Sequence, residues 1–352
     1  MAVLELRKFK VIDLSDPFFD SLKDDYKEFA EWFERKSKGS DQAYVFINPS
    51  SGKLDGSLYL KIEDEALADI SPPQTKARRL KVGTFKVNAH GTRLGERFLK
   101  KVFDHALEEE IDQIYVTIFP KHAGLVSLFK EYGFTQIGTK STTNGTELVL
   151  LREISNIDND PVKSYPVVRR NSRKFLLGIY PKFHTRLFPD SKLITDDIDI
   201  IKDVSHTNSI HKIYICGMNG VAGLRRGDSL LIYRTTDGRG PARFRSVATS
   251  IGVVEEYRHI LSFENVDDFL NYTLSYSVFT EEELREFYRI KKPKHIIRFT
   301  YNYAFKKRPN RDKLLEVCGF PEKGYYGFFR LKNEMFDCAL QCSTNVPKGL
   351  VR

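Results

Sequence analysis

Along the first 150 residues the apolar positions alternate between a period suited to strands and one suited to helices. Residues 4–14 mix apolar and charged positions as a first strand does. Residues 16–36 then carry Phe19, Leu22, Tyr26, Phe29 and Phe33 at helical spacing behind a cap at Ser15. Strands over 44–48 and 57–62 flank the turn signal Pro49-Ser50-Ser51-Gly52, and another over 78–89 leads into Gly91. A helix is predicted over 92–110, where Leu94, Phe98, Val102 and Ala106 recur every fourth residue beside Leu99, Phe103 and Leu107, a stripe that faces a sheet. A buried strand over 113–119, a helix over 123–132, and a hairpin of 135–139 with 147–152 over Thr143-Asn144-Gly145 complete one α/β domain.

The pattern changes after residues 154–166, which carry Asn, Asp and two Pro with little periodicity. Beyond them, strands are predicted at 174–179, 212–216, 229–234, 247–254 and 295–303, with a helix at 280–288. Many strands with few helices suggest a compact β-barrel. The expected organisation is a mixed-sheet domain over 1–155, a linker over 156–168 and a β-barrel domain over 169–310. An extension over 311–352, rich in aromatics at Tyr325, Tyr326, Phe328 and Phe329, is expected to pack on it.

Composition narrows the class. The chain has 352 residues, 41% of them hydrophobic and 29% charged, which suits two globular domains that each bury a core. No apolar run approaches the about 20 residues that span a bilayer, and the N-terminus lacks the apolar stretch of a signal peptide, so a cytoplasmic protein without membrane contact is expected. Cys216, Cys318, Cys338 and Cys342 have neither the paired spacing of a structural metal site nor the density of a disulfide framework. Buried, reduced thiols and no metal are expected. Charge is uneven: residues 1–150 hold 22 Lys and Arg against 23 Asp and Glu, and the remainder holds 34 against 24. The whole positive excess lies in the second half, which points to a polyanion partner for that part alone.

Candidate chemistry begins at the junction of strand, turn and helix that runs through Phe85, Val87, His90, Gly91, Thr92, Arg93, Leu94, Gly95 and Glu96. Unpaired N–H groups at a helix start point the same way and favour an anion, and small residues let a diphosphate approach the backbone. This turn resembles the acetyl-CoA signature of the GNAT acetyltransferases, in which a Gln or Arg is followed at set spacing by two small residues. Here His90 takes the first place, Arg93 that of the first glycine and Gly95 that of the second. Residues Tyr115 to His122, followed by Leu125, Leu128, Phe129, Gly133 and Phe134, resemble the next strand and helix of that family. The order of elements over 1–152 is similar too.

The resemblance implies acetyl-CoA as cofactor, bound by the residues of the turn and by Phe129, and an amine as acceptor. Phe129 stands where the family commonly has a Tyr that protonates the departing thiolate. The proton donor is then Tyr132, Ser127, a water, or absent. Strand 78–89 carries no carboxylate, which leaves Glu63, Asp64, Glu65, His90 and His122 as candidate bases. Tyr132, Glu63 and His122 are the catalytic candidates carried forward. An α-amine titrates at about 8 and a lysine at about 10.4, so an α-amine such as that of an aminoacyl-tRNA needs less help.

In the second half, Ile179-Tyr180-Pro181 ahead of a polar turn, Gly227-Asp228 opening a strand, and Phe279-Thr280-Glu281-Glu282-Glu283-Leu284 ahead of a last strand resemble the ASCH branch of the PUA-like barrels. That resemblance spans 172–305 and implies RNA as a partner. Arg169, Arg170, Arg173, Lys182, His184, Arg186, Arg225 and Arg226 are the candidate RNA contacts, with Tyr180, Phe183 and Tyr233 as stacking faces. Lys192 and Thr195 have the spacing of a pair found in ASCH-like amidohydrolases that act on acetylated cytidine. The expected function is an N-acetyltransferase whose acceptor amine is presented on RNA, such as tRNA. The alternatives are a GNAT enzyme acting on a protein or small amine, and a CoA- or RNA-binding module without turnover.

Overall fold

Strand and helix signals in the first part of the chain assemble one seven-stranded mixed sheet in a computed structural model, which describes residues 4–48, 51–88, 93–191, 209–344 and 346–352. His90, Gly91 and Thr92 of the anion turn, Pro49 and Ser50, and the Lys192/Thr195 pair lie outside the described residues. The chain divides into two compact units, Met1–Ile154 and Ser155–Arg352.

The first unit runs β1 (Leu4–Lys8), α1 (Asp20–Asp25), α2 (Phe29–Lys38), β2 (Gln42–Ile47), β3 (Leu54–Leu67), β4 (Gln74–Val87) and α3 (Leu94–Glu108). It continues with β5 (Gln113–Ile118), α4 (Ala123–Glu131), β6 (Thr135–Thr142) and β7 (Gly145–Glu153). The sheet order is β1-β2-β3-β4-β5-β7-β6, antiparallel throughout except for the parallel pair β4–β5. The predicted apolar stripe of α3 is fully buried, with Phe98, Leu99, Val102, Phe103 and Ala106 each at 0% exposure. A separate aromatic cluster of Phe9, Phe18, Phe19, Phe29 and Phe33 packs α1 and α2 against Val45 and Tyr59.

Residues 16–36 do not form the single helix that their spacing predicts. Asp16 caps a short 3-10 turn through the Phe18 N–H at 2.8 Å, α1 ends at Asp25, and Tyr26 is extended before α2 begins. Tertiary contacts outweigh periodicity here. Tyr26 Oη donates to Glu147 Oε1 at 2.7 Å, its ring packs on Phe119, and Asn144 Oδ1 accepts from the Lys27 N–H. Likewise the expected strand 4–14 ends at Lys8 and turns through a 3-10 segment, Phe9–Val11.

The second unit runs β8 (Lys174–Ile179), α5 (Pro181–Leu187), β9 (His211–Cys216), β10 (Ser229–Arg234), α6 (Ala242–Arg245) and β11 (Val247–His259). Then follow α7 (Val266–Thr273), α8 (Glu281–Ile290), β12 (His295–Ala304), α9 (Arg311–Cys318), β13 (Phe328–Leu331) and α10 (Asn333–Cys342). Its six-stranded sheet has the order β13-β8-β10-β11-β12-β9, parallel only at β8–β10. This corrects the expected β-barrel: among the described residues the outer strands β13 and β9 do not pair, so the sheet is open. The edge of β9 is met instead by irregular backbone, with the Ile213 N–H donating to the Tyr276 carbonyl at 2.9 Å, and α7 and α8 cover Ile213 and Ile215. Covering an edge with helix and loop satisfies it as closure does. The Pro- and Asp-containing stretch 156–168 packs within this unit: buried Tyr165 donates to the Tyr301 carbonyl at 3.1 Å, and Asn302 Nδ2 donates to the Pro166 carbonyl at 2.9 Å.

The thiols also depart from expectation. Cys318 and Cys338 form a disulfide between α9 and α10, and among the described residues only Cys216 and Cys342 are free. Residues 20 apart in sequence meet because the two helices pack side by side, which spacing alone does not reveal. Among the described residues no helix is long and apolar enough to cross a membrane.

A buried ionic group centred on Glu255 lies in the interior of the second unit. Glu255 Oε1 lies 2.6 Å from His211 Nδ1, and Arg298 Nε donates to Glu255 Oε2 at 3.0 Å. Burial pushes the Glu255 carboxyl up, but His211, Arg298 and Arg226 outweigh it and hold it below the ordinary carboxylate range. A depressed folded value means stability present above the unfolded value of about 4.3 and lost as pH falls through the folded one. Melting temperature followed against pH should therefore drop below about pH 4.3 in the native chain. Glu255→Gln should flatten that acid limb while lowering stability at neutral pH by about 3 kcal/mol, because the buried His211 and the half-buried Arg298 lose the carboxylate between them. An acid limb unchanged in the variant would remove Glu255 from the pH dependence.

Candidate functional site

The first unit opens a cavity where its two parallel strands part. β4 and β5 pair through Arg79↔Gln113 to Val82↔Val116 and no further, although β4 continues to Val87 along β3. The cause is one extra residue. Tyr59 of β3 pairs with Thr84 and Leu60 with Val82, so Gly83 is bulged out of the β3–β4 ladder. A bulge bends the strand and raises its twist. It falls on the residue after the last β4–β5 pair, so β4 leans away from β5. Glycine is needed there, since a Cβ on Gly83 would sit 2.8 Å from Tyr59 Cδ1.

The resulting cavity of about 750 Å³ is walled by residues 83–87 of β4, residues 116–118 of β5, the first turn of α4, and Trp32, Tyr26 and Leu22 from the first helices. It reaches Gly95 in the first turn of α3, where a Cβ would lie 3.1 Å from Leu128 Cδ2. Arg93 precedes α3 in the left-handed region at φ 55° and makes no side-chain cap; its guanidinium pairs with Glu96 at 3.3 Å. The N–H groups at the start of α3 therefore gain no side-chain cap from the residue before it.

Charged groups converge on one wall. Asp25, at the end of α1, accepts from His122 Nε2 at 2.8 Å and pairs with Lys121. Burial pushes the Asp25 carboxyl up, but the hydrogen bonds from Lys121 and His122 win and hold it below the usual range. Lys86 on β4 faces the cavity beside Ser21 and over the Phe18 ring, and burial lowers its pKa against the opposing pull of Asp20, Asp25 and Asp24. Burial, together with the bond to Glu147, raises the Tyr26 hydroxyl far above its ordinary value and keeps it a phenol.

Of the three catalytic candidates, only His122 lines this cavity. Glu63 lies on β3 opposite Arg79, beyond the cavity, and is taken up by Lys61 at 2.8 Å and by Tyr115; burial raises its carboxyl, but these partners and Lys81 hold it low. Tyr132 is fully buried with its ring against Phe103 and lines no part of the cavity. Among the cofactor candidates, Phe85, Val87 and Gly95 line it. Leu94 and Glu96 are buried in α3, and Phe129 packs edge-on to Phe85 and Phe134 behind the wall. The sequence reading missed Asp25, Lys86 and Trp32. Asp25 ends α1 at the break before Tyr26, and its partners Lys121 and His122 lie nearly a hundred residues away in sequence.

The candidate RNA contacts of the second unit are mostly engaged within it. Arg173 grips the buried Asp228, with Nε at 2.8 Å from Oδ1; Arg226 pairs with Asp160 at 2.7 Å; Arg186 donates to the Val278 carbonyl; and Arg169 donates to the Asp158 carbonyl and Asn159. His184 is fully buried, with Nε2 2.8 Å from Thr249 Oγ1, and burial holds its pKa well below the ordinary imidazole value. Arg170, Lys182 and Arg225 are exposed. Tyr180 is exposed next to Lys182, whereas Tyr233 is buried against Tyr326 and Phe183 packs on Phe279.

No protein-family model matches the sequence, and no curated protein matches it. Among solved structures, the chain is similar to a mutant of the ZmASCH protein from Zymomonas mobilis, with 11% identity and a TM-score of 0.31 over 48% of this chain and 94% of that one. It is similar to the IAA acetyltransferase from Bacillus cereus ATCC 14579, with 15% identity and a TM-score of 0.32 over 44% of this chain and 99% of that one. It is also similar to the NatC complex bound to Gag peptide and CoA, with 17% identity and a TM-score of 0.27 over 40% of this chain and 83% of that one. Likeness at this level carries no activity from those proteins to this one.

Proposed function

We propose that the first unit is an acyl-CoA-dependent N-acyltransferase of the GNAT type, with acetyl-CoA as cofactor and an amine as acceptor. The observation that carries this reading is the cleft opened by the Gly83 bulge between two parallel strands and closed at its far end by the first turn of α3. The residues present fit the group. Beyond Val82 the β5-facing edge of β4 offers N–H and C=O groups to an amide-bearing arm, and the start of α3 offers N–H groups to a diphosphate. When bound, acetyl-CoA supplies an acyl group activated as a thioester.

His122 takes the proton of the acceptor amine, and Asp25 holds the imidazole in position through Nε2. Lys121 keeps Asp25 ionised for that task. Phe129 cannot donate a proton, neither Tyr132 nor Ser127 lines the cavity, and the Tyr26 hydroxyl is held by Glu147, so solvent protonates the departing thiolate.

An RNA-held amine is the finer reading of the acceptor. It is supported by the charge excess of residues 151–352 and by the exposed Tyr180, Lys182, Arg170 and Arg225. Incubating the full chain with acetyl-CoA and, in separate reactions, an aminoacyl-tRNA, a lysine peptide and a small amine, followed by mass spectrometry, tests both levels. Acetyl transfer to the aminoacyl-tRNA alone supports the finer reading. Transfer to the other amines supports the coarser one, and no transfer to any of them leaves a binding module.

A further inference from the structure

The second unit brings three sulfur atoms together where α9 and α10 meet. α9 ends on Cys318, and Gly319 at φ 65° turns the chain out of the helix. α10 presents Cys338 and Cys342 four residues apart, on one helical face. The three Sγ atoms lie within 4.8 Å of one another, and Cys318 Sγ is 3.8 Å from Cys342 Sγ. Cys216, the remaining cysteine, is buried on β9 in a different part of the unit.

We propose that Cys318, Cys338 and Cys342 form a thiol-ligated zinc site that is dismantled when two of its thiols are oxidised. A disulfide needs two cysteines, and Cys342, unlike the buried Cys216, stands with two other sulfurs. Zinc–thiolate bonds of about 2.3 Å at tetrahedral angles put neighbouring sulfurs about 3.8 Å apart. The Cys318–Cys342 separation has that value. Thiolates select soft ions such as zinc over magnesium or calcium. Among the described residues no fourth His, Cys, Asp or Glu joins the three, and Cys338 is half-buried while its partners are buried. The fourth position therefore opens on the Cys338 side and takes a water molecule or a small anion.

The structure holds the oxidised state, with Cys318 joined to Cys338 and Cys342 left as a thiol. A small-molecule disulfide connects the two states. The Cys318 and Cys338 thiolates give up two electrons and form their S–S bond, the added disulfide is cleaved to two thiolates, zinc leaves as the divalent ion, and Cys342 takes up a proton. Reduction by a dithiol reverses the sequence and releases protons as zinc binds.

The test uses the full chain, reduced and freed of metal by a chelator, then titrated with zinc chloride against a chromophoric chelator. One zinc per chain is expected. Even second-shell partners of a metal cost about tenfold to a hundredfold, so Cys342→Ser should weaken binding by at least about tenfold while Cys216→Ser leaves it unchanged. Oxidised glutathione should release the zinc, and peptide mapping without reduction should then find Cys318 linked to Cys338. Cobalt chloride added to the reduced native chain gives a second readout, a thiolate-to-metal charge-transfer band that does not depend on any variant folding. Failure of the reduced chain to bind zinc, absence of that band, equal affinity in Cys342→Ser, a matching loss in Cys216→Ser, or zinc retained after the disulfide forms would each overturn the proposal.

Discussion

Replacing Gly95 by glutamate should abolish acetyl-CoA binding while the first unit stays folded. Gly95 lies in the first turn of α3 and in the cavity wall, and even a Cβ there comes within 3.1 Å of Leu128 Cδ2. A carboxylate at this point confronts the diphosphate at close range. Like charges brought together cost several kcal/mol, and each 1.4 kcal/mol is a factor of ten, so the loss is at least about a hundredfold. An acidic residue in the first turn of a helix is favourable for the helix itself, and a Cβ at this position meets only Leu128. Calorimetry with acetyl-CoA, alongside a melting curve, decides the matter: unchanged affinity in a folded variant removes the basis for the cofactor assignment.

The second large effect concerns proton transfer. General-base catalysis contributes about a hundredfold to ten-thousandfold, so His122→Gln should lower kcat by at least about a hundredfold with the KM for acetyl-CoA nearly unchanged. Asp25→Asn should lower kcat less, because the imidazole remains and only its positioning by the carboxylate is lost. Steady-state kinetics on the amine found to be the acceptor provide the measurement. If both variants instead raise KM for acetyl-CoA and leave kcat alone, His122 holds the cofactor and the base lies elsewhere.

Much of the first unit is legible in the sequence because its long elements are periodic. The α3 stripe and the closing hairpin follow from spacing alone, and Gly95 is found by the turn. What spacing does not show is register. The bulge at Gly83 depends on which β3 residue faces which β4 residue, and a lone glycine in a strand does not announce it. Asp25 was hidden for a related reason: the break at Tyr26 is enforced by Glu147 and Asn144, more than a hundred residues away. In the second unit, charge was legible but its employment was not. Arginines that read as a nucleic-acid face are partners of Asp228, Asp160 and main-chain carbonyls. The open sheet escaped notice because a strand count is the same for a barrel and for a sheet whose edge is sealed by loop and helix.

Strand edges are usually a hazard, because a free row of N–H and C=O groups recruits other chains. The bulge at Gly83 creates such an edge in the middle of a sheet, flanked by β3 on one side and β5 on the other. This edge faces a cavity and not a further strand of the sheet. On the proposed reading, a slender, flexible ligand with its own amides takes the place of that strand. One inserted residue thus turns a stretch of β-edge inward, onto a cavity of the domain's own making.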